Sequence, residues 1–115
     1  MKTVSQEMAQ AAYRAVKTRR EQSSFDEYTT FAKKFPALLH TCGLAQAVAF
    51  AQAKQEKAYL ADLADVLHAG LGGEIQSVEE LAMKSRESNL SQYLRLSRHA
   101  LRSATWLKRY VEALG

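Results

Sequence analysis

His40 and Cys42 stand two residues apart in Leu38-Leu-His-Thr-Cys-Gly43, where the chain's one thiol comes closest in sequence to an imidazole. A thiol–imidazole nucleophile needs both side chains on one side, and helical positions two apart point to different sides. His68 and His99 are distant from His40 and from each other, without ligand spacing. Asp62 and Asp65 share a helical face and offer two carboxylates to a metal, but no further carboxylate converges on them. They are expected to be a solvated acid pair. Gly70-Leu-Gly-Gly73 lacks the lysine and hydroxyl residue of a phosphate loop and reads as a turn. There is no HExxH pair, no CxxC and no nucleophile elbow. No catalytic residue, metal ligand or cofactor is assigned, and an enzyme is the least supported class.

The chemistry that does stand out is cationic. At 100° per residue, a helix from about Asn89 to Leu114 gathers Arg95, Arg98, Arg102 and Arg109 within about 60° of one another. Tyr93, Leu96, Ala100, Ala104, Leu107, Val111 and Leu114 gather on the opposite side, as a core face. From Arg95 to Arg109 the stripe runs roughly 21 Å, enough to follow several phosphates. Four like charges on one face repel unless something anionic is present. Arginine also gives bidentate contact to phosphate and stacks on bases. Trp106 lies along the side of the stripe, where an indole can plug a gap, anchor a partner protein or stack a base. The sequence leaves these three open.

Charge is segmented along the chain. Residues 1–57 carry nine basic side chains against five acids, 58–88 two against six, and 89–115 five against Glu112 alone. Two basic blocks meeting in space would form one polyanion-binding surface, with an acidic surface elsewhere. Lys17 and Arg20 are candidates in the first block, although cations in a helix's last turn also suit its dipole.

The elements that must position these groups are helical, since no segment alternates at period two. Val4, Met8, Ala11, Ala12, Ala15 and Val16 predict a first helix over 3–20, capped by Thr3 or Ser5. Ser24 caps a second, with Phe25, Tyr28, Phe31, Ala32 and Phe35 as its buried stripe and Lys33 and Lys34 closing it before Pro36. A third is entered near Pro36, bent near Gly43, and buried to about Lys54. From Leu44 to Ala53 it is apolar nearly all round, so it is expected at the centre of the bundle. A fourth runs from about Gln55 to Ala69, ended by Gly70 as a left-handed cap. A short fifth starts at Ser77 with a capping box to Glu80, and Asn89 caps the last. The expected fold is all-α: about six helices around a buried, Ala-rich central helix, in a single domain over 1–115.

A 47% hydrophobic and 24% charged composition suits a soluble globular chain, and one proline with five glycines favours few, long helices. A lone cysteine allows no internal disulfide, no apolar leader follows Met1, and no window holds roughly 18 continuous apolar residues. The expected compartment is the cytoplasm.

Phe35-Pro36-Ala37-Leu38-Leu39-His40, then Gly43-Leu44, Ala49-Phe50 and Lys54, resembles the small helical subunit of type III-B CRISPR effector complexes, the Cmr complex. Ala104-Thr105-Trp106-Leu107-Lys108-Arg109-Tyr110 is similar to the end of the same family, and the resemblance spans almost the whole chain. It implies a non-catalytic subunit that stacks in several copies as a minor filament beside backbone subunits and lines the path of guide and target RNA. Its partners would be the other subunits, further copies of itself, crRNA and single-stranded target RNA. The matched Lys54, Trp106, Lys108 and Arg109 become contact candidates on that ground. Two other classes stay open: a helical DNA-binding regulator, with the Glu87–Asn89 junction as the tight turn, and an interaction adaptor docking through its acidic middle segment.

Overall fold

The computed structural model describes residues 2–115, and the elements it shows among them are helical. In chain order they are α1 (Val4–Arg20), α2 (Phe25–Cys42), α3 (Leu44–Ala53), α4 (Lys57–Leu71), a 3-10 turn at Gly72–Glu74, α5 (Val78–Glu87) and α6 (Leu90–Leu114). The expected all-α bundle of six helices is observed.

Three helix starts form where the local chemistry directs. At α1 the amide of Gln6 donates to Thr3 Oγ1 (3.1 Å) while Gln6 Oε1 accepts from the Thr3 amide (2.8 Å). Asn89 and Gln92 repeat this reciprocal cap at α6. At α5 the Glu80 amide donates to Ser77 Oγ, but the Glu80 carboxylate reaches one residue further back, to the Gln76 amide at 3.2 Å. Each arrangement satisfies amides that the first helical turn leaves without partners.

Two boundaries depart from expectation. The second helix does not end before Pro36 but runs through it to Cys42. An interior proline costs about 3 kcal/mol in lost hydrogen bonding and ring clash. Phe35 and Leu39 lie in phase with Tyr28, Phe31 and Ala32, and burying the two gives about 1.5–3 kcal/mol each. Burial wins, and the helix stays in register. The break falls instead at Gly43, with φ 84° and ψ 166°, a region open essentially to glycine. Across it the Ala45 amide donates to Tyr93 Oη of α6 at 3.1 Å, so α3 is capped by a side chain 48 residues away. The fourth helix likewise ends at Gly72 (φ 71°), not at Gly70. Gly70 is helical and serves packing: a Cβ there would lie 2.9 Å from Met8 Sδ of α1.

The Ala-rich helix is not the centre. In α3 only Leu44, Ala47, Val48 and Ala51 are buried, while Ala49, Gln52 and Ala53 face solvent. Alanine has little apolar surface to hide, so an all-round alanine pattern overstates burial. The central position belongs to α4, which touches all five other α-helices and buries Tyr59, Leu60, Asp62, Leu63, Ala64, Val66 and Leu67. Against it lie α1 and the long α6, whose buried line is Leu96, Ala100, Ser103, Ala104, Leu107 and Val111.

Candidate nucleic-acid interface

The core line of α6 fixes what its other side can do. With Leu96, Ala100, Ala104, Leu107 and Val111 turned inward, Arg95, Arg98, Arg102 and Arg109 are all exposed on the outer face. Among the described residues Arg98 and Arg102 meet no carboxylate. The stripe read from periodicity is a surface row of cations.

At its C-terminal end the row meets rings. Trp106 is half-buried and stacks on Tyr110, one helical turn later, with centroids 5.9 Å apart and planes at 17°. Tyr110 in turn meets the edge of Tyr13 of α1 at 5.6 Å and 77°. A cation caps each end: the Arg109 guanidinium lies 5.5 Å from the Trp106 ring centroid and Lys17 Nζ 5.9 Å from that of Tyr13. The result is a ladder, Lys17–Tyr13–Tyr110–Trp106–Arg109, crossing from α1 to α6. Tyr13 is 39% exposed, which leaves part of an aromatic surface open between two positive charges. Such a surface offers stacking to a base and charge to its phosphates.

A different arginine shows the opposite arrangement. Arg19 forks onto the buried Asp62 of α4, Nε to Oδ2 at 2.9 Å and Nη2 to Oδ1 at 3.1 Å. The Tyr28 hydroxyl of α2 donates to Asp62 Oδ2 at 2.7 Å. Three helices are thus tied at one carboxylate. Burial, with the Asp62 charge next, holds the Tyr28 hydroxyl far above the ordinary tyrosine range, and burial does the same for Tyr59. The hydrogen bond to Asp62 raises Arg19 in the same sense. The expectation that Asp62 and Asp65 form a solvated pair is therefore corrected: Asp65 is exposed, but Asp62 is a buried anchor.

The comparisons with known proteins agree with one another. The family model described as CRISPR-associated protein (Cas_Cmr5) matches residues 4–114. The CRISPR system Cmr subunit Cmr5 of Thermus thermophilus is 40% identical over 117 residues, covering 99% of this chain and 97% of its own. This chain belongs to the Cmr5 family. An X-ray crystal structure of a Cmr5 family protein from Thermus thermophilus superposes with a TM-score of 0.89 at 41% identity, covering 98% of each chain. The Cmr5 resemblance drawn from the Phe35–His40 and Ala104–Tyr110 strings is thereby established over nearly the full length.

Within this Cmr5 fold the nine candidate residues do not form one site. Lys17, Trp106 and Arg109 are joined by the ladder, and Arg95, Arg98 and Arg102 extend it along α6. Arg20 is exposed at the end of α1, just past the Arg19 anchor. Lys54 belongs to a separate corner, its Nζ 5.6 Å from the Phe50 centroid, with Lys34 Nζ 5.5 Å from the same ring. Lys108 is half-buried and about 100° round the helix from Arg109, off the arginine face. His40 and Cys42 are both exposed, and His68 Nδ1 donates to the Ile75 carbonyl at 2.9 Å, holding the turn after α4.

Sequence reasoning missed two members of the ladder and the anchor. Tyr110 was recoverable from its four-residue spacing to Trp106, which puts the rings on neighbouring turns. Nothing in the sequence set Tyr13 against Tyr110, or Arg19 and Tyr28 against Asp62. Those contacts come from helix packing.

Proposed function

We propose that this chain is a non-catalytic small subunit of a type III-B CRISPR RNA-guided effector ribonucleoprotein in antiviral defence. In this reading it acts in the cytoplasm, stacks in several copies as a minor filament with the other subunits, and lines the path of crRNA and single-stranded target RNA. Family membership supports the subunit role. What carries the RNA-lining role is the row Arg98–Arg102, without acidic partners among the described residues, running into the ring ladder Trp106–Tyr110–Tyr13.

A row of this kind binds by charge and stacking, and phosphate contacts carry no base information. Arg95, Arg98, Arg102 and Arg109 follow a backbone, and the ladder supplies a sequence-tolerant ring surface at one end. Lys17 extends the positive field onto α1. Guanidinium groups and stacked rings bind and orient a strand rather than cleave it, so the part of this surface in the complex is to hold RNA while chemistry proceeds elsewhere.

The test is binding of the purified chain to single-stranded RNA of random sequence and to a matched duplex DNA over a salt series. Sequence-blind RNA binding is expected, with log affinity falling by about 0.7 per phosphate contacted for each unit of log salt. Equal RNA affinity in an Arg95→Glu/Arg98→Glu/Arg102→Glu variant overturns the assignment. Strong preference for one duplex sequence would favour the regulator instead.

A further inference from the structure

The core uses only part of the stretch from Phe35 to Lys54. Phe35, Leu39 and Leu44 are buried, whereas Ala37 and Lys54 are exposed and Leu38 and Phe50 half-buried. Lys34, Ala37, Leu38 and Thr41 follow one another by three and four residues, so they share one face of α2, about 120° round the helix from its buried line. With Phe50 of α3 they line a pocket of about 280 Å³. Apart from the Lys34 ammonium and the Thr41 hydroxyl, the side chains lining it are hydrocarbon.

The rim is basic. Lys34 Nζ lies 5.4 Å from the Phe31 centroid and 5.5 Å from that of Phe50, and Lys54 Nζ lies 5.6 Å from Phe50. The Phe31 and Phe50 rings stack beneath them, with planes at 8°. Neither lysine forms an ion pair among the described residues. Glu56 is the acid on which the Lys34 charge acts, but its hydrogen-bond partner is Glu27. Burial first, and Glu27 next, raise the Glu56 carboxyl, with Lys34 opposing them.

Size and lining decide what fits. The volume falls just below the roughly 300–1,000 Å³ of small-molecule sites, and it suits one large apolar side chain. A nucleobase would find only Thr41 and Lys34 for its polar edge, and two lysines already lie over the ring on which it would stack. We infer that this pocket docks an acidic segment of another protein, one large apolar side chain entering between Leu38 and Phe50 with carboxylates on either side meeting Lys34 and Lys54. The buried anchor supplies most of the affinity, and the rim charges orient the segment and reject basic ones. The inference does not rest on the RNA-lining reading, since this corner lies apart from the arginine row and the ladder.

The test titrates the peptide acetyl-Glu-Asp-Phe-Glu-Asp-amide into the full chain at low salt, followed by amide resonances. Saturable shifts at Ala37, Leu38, Thr41 and Phe50 are expected, with a dissociation constant below about 1 mM. Replacing the peptide's phenylalanine by serine, or its acids by lysine, should weaken binding roughly tenfold or more. Thr41→Glu, an exposed position, sets a carboxylate at the pocket and should do the same, with thermal melting confirming the fold. Lys34→Gln/Lys54→Gln should weaken binding and flatten its salt dependence. Absence of saturable shifts up to about 5 mM, shifts confined to the arginine row, equal binding of the serine peptide, or a Thr41→Glu chain that binds like wild type each overturn the inference. Random-sequence RNA that displaces the peptide from these residues would make the corner part of the strand's path, and overturns it as well.

Discussion

Arg19 and Arg98 are both helix-borne arginines, yet the bundle treats them in opposite ways. Arg19 faces a buried carboxylate, and its guanidinium is satisfied from within by Asp62 with Tyr28 completing the site. Arg98, with Arg102 beside it, lies on an outer face and makes no ion pair with a carboxylate among the described residues. The first cation is tied into the fold through Nε and Nη2, although part of it still reaches the surface. The second meets no carboxylate and turns its donors outward; an external anion is its partner in the proposed RNA-lining role. A basic cluster in a sequence is thus two populations, and the bundle sorts them by whether it supplies an acid.

Substitutions should separate these populations. The largest effect is expected from Asp62→Ala, which strands the partly buried Arg19 and the Tyr28 hydroxyl together. Loss of one partner of a buried pair costs about 3–5 kcal/mol, read as a fall in the urea midpoint, with RNA affinity per folded molecule unchanged. A loss under about 1 kcal/mol would show that the anchor does not hold the bundle. Next comes Trp106→Ala. Stacking on one base gives about 1–3 kcal/mol, so RNA affinity should fall roughly tenfold or more, with Trp106→Phe recovering part of it.

Tyr28→Phe tests the knot more gently. Removing the hydroxyl should cost about 1–2 kcal/mol at neutral pH. The folded-state pKa of Tyr28 is raised, so its stabilisation is fully present below the unfolded tyrosine value of about 10 and is lost as pH rises beyond it. Wild type should therefore lose stability above about pH 10 more steeply than the phenylalanine variant, as equilibrium unfolding would show. Parallel curves would remove Tyr28 from the knot. Arg98→Gln/Arg102→Gln should leave stability within about 0.5 kcal/mol while lowering the salt slope of RNA binding by about 1.4. The smallest change is expected of Arg20→Gln, which touches neither anchor nor ladder: stability within about 0.5 kcal/mol and at most one phosphate's share of the slope.

What was legible in the sequence was local or periodic. Thr3, Ser77 and Asn89 announce helix starts because the cap oxygen accepts from an amide only three residues on. The inward and outward faces of α6 follow from 3.6 residues per turn, and the Phe35–His40 string with Gly43-Leu44, Ala49-Phe50 and Lys54, together with the Ala104–Tyr110 string, suggested the family. What misled was anything decided by comparing distant terms. Pro36 reads as a boundary until Phe35 and Leu39 are known to be buried on the same face. The alanines of α3 read as a core until α4 is seen to bring larger side chains to the middle. Asp62 looks like any helix-face acid because Arg19 and Tyr28 lie 43 and 34 residues away. The ladder was half legible for the same reason: Trp106 and Tyr110 share a helix, and Tyr13 does not.

The cap that Tyr93 places on α3 also bears on how the chain comes to be folded. Synthesis runs from the N-terminus, so α1 to α5 emerge before the hydroxyl that receives the Ala45 amide exists on the nascent chain. Until then the break at Gly43 has no lid, and α1, α2 and α4 lack the helix that α6 lays across them. A nascent chain at that stage exposes the apolar faces meant for Leu96, Ala100, Ala104 and Leu107. The 25 residues of α6 close the bundle, and folding to completion waits until they have cleared the ribosome.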